Sequence, residues 1–550
     1  AMALDTLSEI CRHYAVQARE QAAAAADPAR AAELREMAAV LERVSLAAPQ
    51  TLREAMQLVW LYGLVSTTTN FARMDVYLGD LLAANLDGGR LSEEEALRLL
   101  CSLWRLMADT WPNWSGRVIL GGMGRPNEPS ADRFALLAME ATRIVLEVEP
   151  QTSLRFYAGM DPRLYTRALD VIGEGRIFPI LYNDDVNVPA VAQAYRVSRE
   201  EAEQYIPSDC GEYSLWHRSI GSPNGTVNLA KALEVTLHNG VDALTGERMG
   251  LALGDLGSFR SFDALFAAYA RQIEHFIGLL ADRLILLYDV VAESAPYLYW
   301  SLLYDDCLAR GQGLFAGGAR YRGILIETYG NITTADSLTA IKELVYDRQA
   351  LRPEELLAAL EANYEGHERV RHQMLSAPKY GNDQAAADEM ALRVHRHICS
   401  AVAAQRERLG LDFSLADMIN AGGHISLGEL TAATADGRLR GKPLANANNP
   451  STGRDRSGTT ALLKSLARLD PSNIGGQVQY LKFSREMFRE QRPKLEALLA
   501  GYWALGGAQA MITVVGRGDL EAAMREPAQY THLVVRVGGF CARGVDLPRN

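Results

Sequence analysis

The chain has 550 residues, 48% apolar and 22% charged, which suits a folded protein with ample core material and excludes disorder, collagen and a coiled-coil rod. A formal charge of −11 argues against nucleic acid as a main partner. Six scattered cysteines make no disulfide framework, and no apolar run reaches the ~18 residues that a membrane span needs. The opening AMALDTLSEICRHYA lacks a basic stretch followed by an apolar one, so a cytoplasmic protein without a secretory signal is expected. Thr6 with Glu9 fits a capping box, and Pro28 after Asp27 fits a second helix start. The Ala22–Ala26 run reads as solvated helix, since alanine is the best helix former. Apolar helices are predicted over 51–69 and 92–111, the latter opened by Ser92 and Glu95. Three β-rich runs follow, at Arg117–Gly122, Thr152–Tyr157 and Phe178–Asn183. Helical stretches are expected at 130–147, 163–173 and 198–206, and again over 259–304 and 353–410. The end returns to strands at Met511–Gly516 and His532–Gly539, around a helix at 518–525. Alternation of strands and helices, with no repeat and no Pro/Ser-rich linker, points to one large α/β domain.

Two segments carry candidate chemistry. Residues 208–240 place a Gly/Ser/Pro loop with Cys210, Glu212 and His217 before a helix at roughly Val227–Asn239. A thiol and a carboxylate two residues apart on a loop can face one cavity and act on one substrate. The same C-x-E pattern alone also fits a buried structural cysteine beside a solvated glutamate. No further acid follows Glu212 before Glu234. The second segment, VVRVGGFCARGVDL at 534–547, is a β-run that ends in Gly538-Gly539, which alone fits a tight turn or bulge. The string His395, His397, Cys399 lies on a probable helix, but no second ligand cluster accompanies it, so no metal is expected on this chain. Arg218 fits either a substrate carboxylate or a pair with Asp209. His217 fits an acid/base or a loop hydrogen bond. Asn183 and Asp184 fit bracing of the interior, and the Asp436–Arg438 loop fits the same purpose.

Together the two segments resemble the glycyl radical enzymes, the family of pyruvate formate-lyase, glycerol dehydratase, choline trimethylamine-lyase and hydroxyphenylacetate decarboxylase. That family's terminal motif, RVxG followed by Tyr or Phe, reads here Arg536-Val537-Gly538-Gly539-Phe540. Its thiyl motif GCxE reads Asp209-Cys210-Gly211-Glu212, with an aspartate where the glycine usually stands. Gly173–Asp185, Gly317–Gly323, Asn331–Asp347, Pro378–Asp383 and Ala433–Asp470 are similar to further family blocks, in the same order.

The resemblance implies a ten-stranded α/β barrel of two five-stranded halves surrounded by helices, with Cys210 and Gly539 on two loops that meet inside. Residues 1–500 would form the helical layer and barrel, and 501–550 the glycyl radical segment of the same barrel. The family's N-terminal helical region is expected to be missing, because the family's ICRRYA-like helix falls at Ile10–Ala15. Gly539 would store a protein-derived radical, take hydrogen from Cys210, and leave a thiyl that attacks a small polar substrate with Glu212 as acid/base. His217, Arg218 and Asp209 are the substrate-contact candidates. A separate radical S-adenosylmethionine enzyme with an iron–sulfur cluster would activate the chain, which would be a homodimer. Elimination of the dehydratase or C–N/C–S lyase type is the leading expectation. Radical decarboxylation or other C–C cleavage is the alternative. A radical-free relative working by polar chemistry is a third reading, suggested by Asp209 and by Gly544 in place of a bulky aromatic.

Overall fold

A computed structural model describes residues 2–110, 116–208, 210–419, 422–530, 534–537 and 540–543. Helices fill the first 110 residues. Thr51 and Glu54 cap the helix Leu52–Ser66 reciprocally, and Asp27 caps the helix that Pro28 begins. The Ser92–Glu95 pair opens Glu93–Thr110 as expected. Thr6 does not cap: the first helix already runs from Met2, and the Thr6 hydroxyl donates back to the Met2 carbonyl.

Thirteen strands are present among the described residues: β1 Val118–Gly121, β2 Thr152–Phe156, β3 Ile180–Asn183, β4 Tyr205–Ser208, β5 Glu212–Leu215, β6 Asn224–Asn228, β7 Gly323–Tyr329, β8 Phe413–Met418, β9 Ile474–Gln477, β10 Tyr480–Phe483, β11 Gln509–Val514, β12 Val534–Val537 and β13 Phe540–Arg543. They build two main sheets. One has the order β1-β2-β3-β11-β10 and is parallel except where β11 meets β3. The other, β6-β7-β8-β9, is wholly parallel. Val478 and Gln479 alone carry the chain from one sheet to the other.

The strands β1, β3, β7 and β8 are buried on both faces, which is why their sequences are mostly apolar, whereas β6, NGTVN, is partly exposed. Side chains alternate across them. Ile324, Ile326, Ala416 and Met418 join the large core shared with the helices, whereas Leu325, Phe413 and Leu415 join a second cluster with Tyr182, Tyr205, Tyr213 and Val478. That second cluster is the interior between the sheets.

Two predicted helices change. The stretch 198–206 is helical only at Arg199–Ala202, after which Tyr205–Ser208 turns to strand and pairs with β5. β-formers followed by Pro207 override the helical pattern there. The helix expected at 227–239 is Leu229–Leu237, preceded by β6. An unexpected helix, Asp184–Tyr195, starts directly off β3, where Asn183 Oδ1 accepts from the Asp185 amide.

Candidate active site

β4 and β5 form an antiparallel hairpin whose tip carries Cys210 and whose second strand begins with Glu212. The hairpin is fixed from below by buried polar groups. The Arg155 guanidinium, fully buried, donates to the carbonyls of Glu203 and Tyr205 at 3.0 and 2.7 Å. It also grips Asp184 with two bonds, 3.0 and 2.7 Å, and lies 4.0 Å over the Tyr205 ring. Tyr205 donates to Asp184 and Tyr213 donates to Asn187, at 2.8 and 3.0 Å. Each strand of the hairpin is thus tied through a tyrosine to the helix that follows β3. Asn183 and Asp184 brace the interior, as their positions suggested.

The tip is shaped by glycine. Gly211 has φ +128°, and a Cβ there would come within 3.3 Å of Val478 and 3.4 Å of the Tyr182 hydroxyl. Cys210 is a half-buried thiol that packs against the interior cluster. Glu212 is buried. Asp209 lies outside the described residues, and so does Gly539. The strands on either side of Gly538 and Gly539, β12 and β13, pair antiparallel. Val534, at the start of β12, packs on the same interior cluster as Cys210.

His217 and Arg218 both have partners among the described residues. Burial holds the His217 imidazole below its usual range; its Nδ1 donates to the Leu303 carbonyl at 2.7 Å and its ring stacks on Trp216. Arg218 is held by Glu201 and Asp305, at 3.3 and 3.5 Å. Glu234 is spoken for by Lys231 at 2.8 Å and by the Ala432 amide at 2.8 Å. His395 uses Nε2 on the Asp470 carbonyl and Nδ1 on the Met418 sulfur, so both ring nitrogens have partners. Arg438 ties down the carbonyls of Thr431, Leu439 and Lys442, a bracing role for its loop.

One residue escaped the sequence reading. Asp417 on β8 shares the interior face with Phe413 and Leu415 and is fully buried. Its register partner on β9 is Gly476, reached through an irregularity that leaves Gly475 as the extra residue. A Cβ on Gly475 would sit 2.3 Å from Asp417 Oδ1, so this glycine makes the space for the carboxyl. Burial pushes the Asp417 carboxyl well above the usual range, and the charges of Glu212 and Glu327 push it further. Glu327, across β7, is raised by burial while Tyr329, Thr226 and Asn224 donate to it. The signal available in the sequence was an aspartate in the mostly apolar run FSLADM.

Known proteins agree with this architecture. A family model described as pyruvate formate lyase-like matches residues 1–419, and one described as glycine radical matches residues 444–545. Trans-4-hydroxy-L-proline dehydratase of Clostridioides difficile is 26% identical across 100% of this chain and 72% of its own. (2S)-3-sulfopropanediol dehydratase of Klebsiella oxytoca is 27% identical across 99% of this chain and 69% of its own. The solved B12-independent glycerol dehydratase of Clostridium butyricum superposes with a TM-score of 0.91 at 26% identity, covering 99% of this chain and 71% of that one. The two matched models, the relatives and the shared barrel place this chain in the glycyl radical enzyme family, as a glycyl radical lyase.

Proposed function

We propose that Cys210 and Gly539 are the radical pair of this lyase and that Glu212 is its acid/base, acting in an elimination on a small polar substrate. One observation supports the assignment: the Cys210 hairpin and Val534, at the start of the strand that leads to Gly539, pack on one interior cluster. The radical chemistry needs Gly539 beside Cys210, since hydrogen passes between a Cα and a sulfur. A glycine Cα radical is delocalised between its amide and carbonyl, and any side chain would crowd that planar centre. A thiol is a suited relay because its S–H bond is close in strength to substrate C–H bonds. In the cycle, Gly539 takes a hydrogen atom from Cys210, the thiyl takes one from substrate, and the thiol later returns it.

Glu212 is buried where an ionised carboxylate is costly, which suits a group that gains and loses a proton during turnover. Radical formation on Gly539 is assigned to a separate radical S-adenosylmethionine enzyme that carries the iron–sulfur cluster. Residues 501–550 are assigned to the radical segment, built onto the barrel through β11. Elimination is preferred over decarboxylation because the two dehydratases are 26% and 27% identical to this chain, against 24% for a relative named for decarboxylation. The homodimer and a cytoplasmic setting are part of the same reading, supported by the family; no helix among the described residues is long and apolar enough to cross a membrane.

The test is an anaerobic electron paramagnetic resonance spectrum after incubation with an activating enzyme and S-adenosylmethionine. A doublet lost in Gly539→Ala, with chain cleavage at Gly539 on exposure to air, is the expected result. A silent spectrum with an activator proven on another glycyl radical enzyme would overturn the reading.

A further inference from the structure

Asp417 is a fully buried acid on the interior face of β8, with both carboxyl oxygens without a hydrogen-bond partner among the described residues. Such a group is costly to bury, and native interiors rarely keep one without a use. Its surroundings were built for it. Gly475 is the extra residue of the β9 irregularity and leaves the volume that Oδ1 occupies. Its register partner Gly476 touches the Cys210 hairpin: a Cβ there would lie 2.4 Å from the Gly211 carbonyl oxygen and 3.1 Å from the Glu212 Cα. Asp417 therefore stands one strand away from the thiol loop, on the face that looks into the interior.

The electrostatics favour its protonated form. Among the described residues the charges acting on Asp417 are those of Glu212 on β5 and Glu327 on β7, both carboxylates, with no arginine or lysine to offset them. The other titratable groups coupled to it, Tyr195, Tyr213 and Cys399, are all pushed up by burial and are neutral at physiological pH. Two acids that share a buried site divide into one proton donor and one acceptor.

We propose that Asp417 is a second catalytic acid of this site, which hands its proton to a departing hydroxyl group of a small vicinal diol while Glu212 takes the proton of the neighbouring hydroxyl. This rests on the lyase reading above. The Cys210 thiyl takes a hydrogen atom from the carbon bearing the first hydroxyl, so an S–H bond forms and a carbon radical remains. Glu212 accepts that hydroxyl's proton. The neighbouring C–O bond breaks, its oxygen takes the bond's electron pair and the Asp417 proton, and water leaves. The resulting radical beside a carbonyl recovers a hydrogen atom from Cys210, giving an aldehyde or ketone. A proton passed from Glu212 to Asp417 restores the starting state. The balance is diol to carbonyl compound plus water, with no external oxidant. Three carboxyl groups around this space also disfavour a substrate that brings an anion beside Asp417.

The experiment compares wild type, Asp417→Asn and Asp417→Ser, using 1,2-propanediol and glycerol as probes. Infrared difference spectra between wild type and each variant near neutral pH should show the carbonyl stretch of a protonated carboxylic acid in wild type alone. The radical doublet should form equally in all three proteins, while turnover falls by ~10²- to 10⁴-fold in both variants. Absence of the infrared band, or undiminished turnover in both variants, would overturn the proposal. So would a wild-type chain that forms the doublet yet dehydrates neither diol. A wild-type chain with no doublet overturns the lyase reading and the mechanism built on it, and the spectrum tells that failure apart from the others.

Discussion

Gly476 on β9 stands so close to Gly211 that a Cβ on Gly476 would lie 2.4 Å from the Gly211 carbonyl oxygen. With φ +150°, Gly476 also holds a backbone shape that side chains disfavour. The strand and the thiol loop are thus fitted backbone to backbone. Gly476→Ala must push the hairpin that carries Cys210 and Glu212. The expected cost is about 1–3 kcal/mol in stability, typical of overpacking, with a disproportionate loss of turnover. A matched control is Gly501→Ala, inside the helix Arg492–Ala504 with open space around it. That change should raise stability by about 1 kcal/mol and leave turnover alone. Melting curves and product formation on both variants check the pair. Equal behaviour of the two would show that the β9 contact does not set the loop.

Cys210 can be separated from Gly539 by substitution. If the thiol is the relay, Cys210→Ser should keep the barrel and the activator's access, so the doublet forms at wild-type yield. Turnover should vanish, because an alkoxyl radical is far costlier to make than a thiyl. Spin quantification beside product analysis on the same sample measures both. Measurable turnover in this variant would exclude Cys210 as the relay.

The family was legible in the sequence, because its motifs are local: the Cys210–Glu212 pair and the Gly538-Gly539 run each lie within a short segment. So were capped helices such as that opened by Thr51 and Glu54, since both partners sit within one turn. What the sequence hid was long-range. Asp417 lies 207 positions from Cys210 and reaches the site only because β8 pairs with β9 and β9 backs onto the hairpin. Arg218 is paired by the fold with Glu201 and Asp305, 17 positions before it and 87 after it, which no local pattern shows. The strand Tyr205–Ser208 was masked by helical composition around it, because its pairing with β5 is a tertiary gain that local propensity does not register.

The Arg155–Asp184 pair is the keystone of the hairpin's support. Both side chains are fully buried and joined by two hydrogen bonds, and the arginine also holds the carbonyls of Glu203 and Tyr205. Removing one member leaves the other charged and unmatched in the interior. Arg155→Met should therefore cost about 3–5 kcal/mol. Arg155→Lys keeps the charge but loses the forked geometry, so it should fall between Met and wild type. Denaturant melts of the three proteins give the order. A Met variant as stable as wild type would mean that the pair adds no net stability.

Asp336 supplies a pH signature for the fold itself. It sits fully buried on the helix Asn331–Ile341, where Oδ1 accepts from the Tyr380 amide at 2.9 Å. Burial pushes its carboxyl up to about 7 from an ordinary 3.8, partly countered by Lys379. The folded chain therefore holds this proton more tightly than the unfolded chain. Between about pH 4 and 7 the unfolded state releases it first, so stability falls as pH rises through that window. The loss is bounded at about 4 kcal/mol, from roughly three units at about 1.4 kcal/mol each. Asp336→Asn keeps an acceptor for Tyr380 but has no proton to lose. Its melting temperature should fall less steeply than wild type from pH 4 to 7, and the variant should be the more stable of the two near pH 8. Asp417 titrates with the same sign and stays in both proteins, so the difference between the two curves isolates Asp336. Parallel curves across that range would show that Asp336 titrates alike in the folded and unfolded chain.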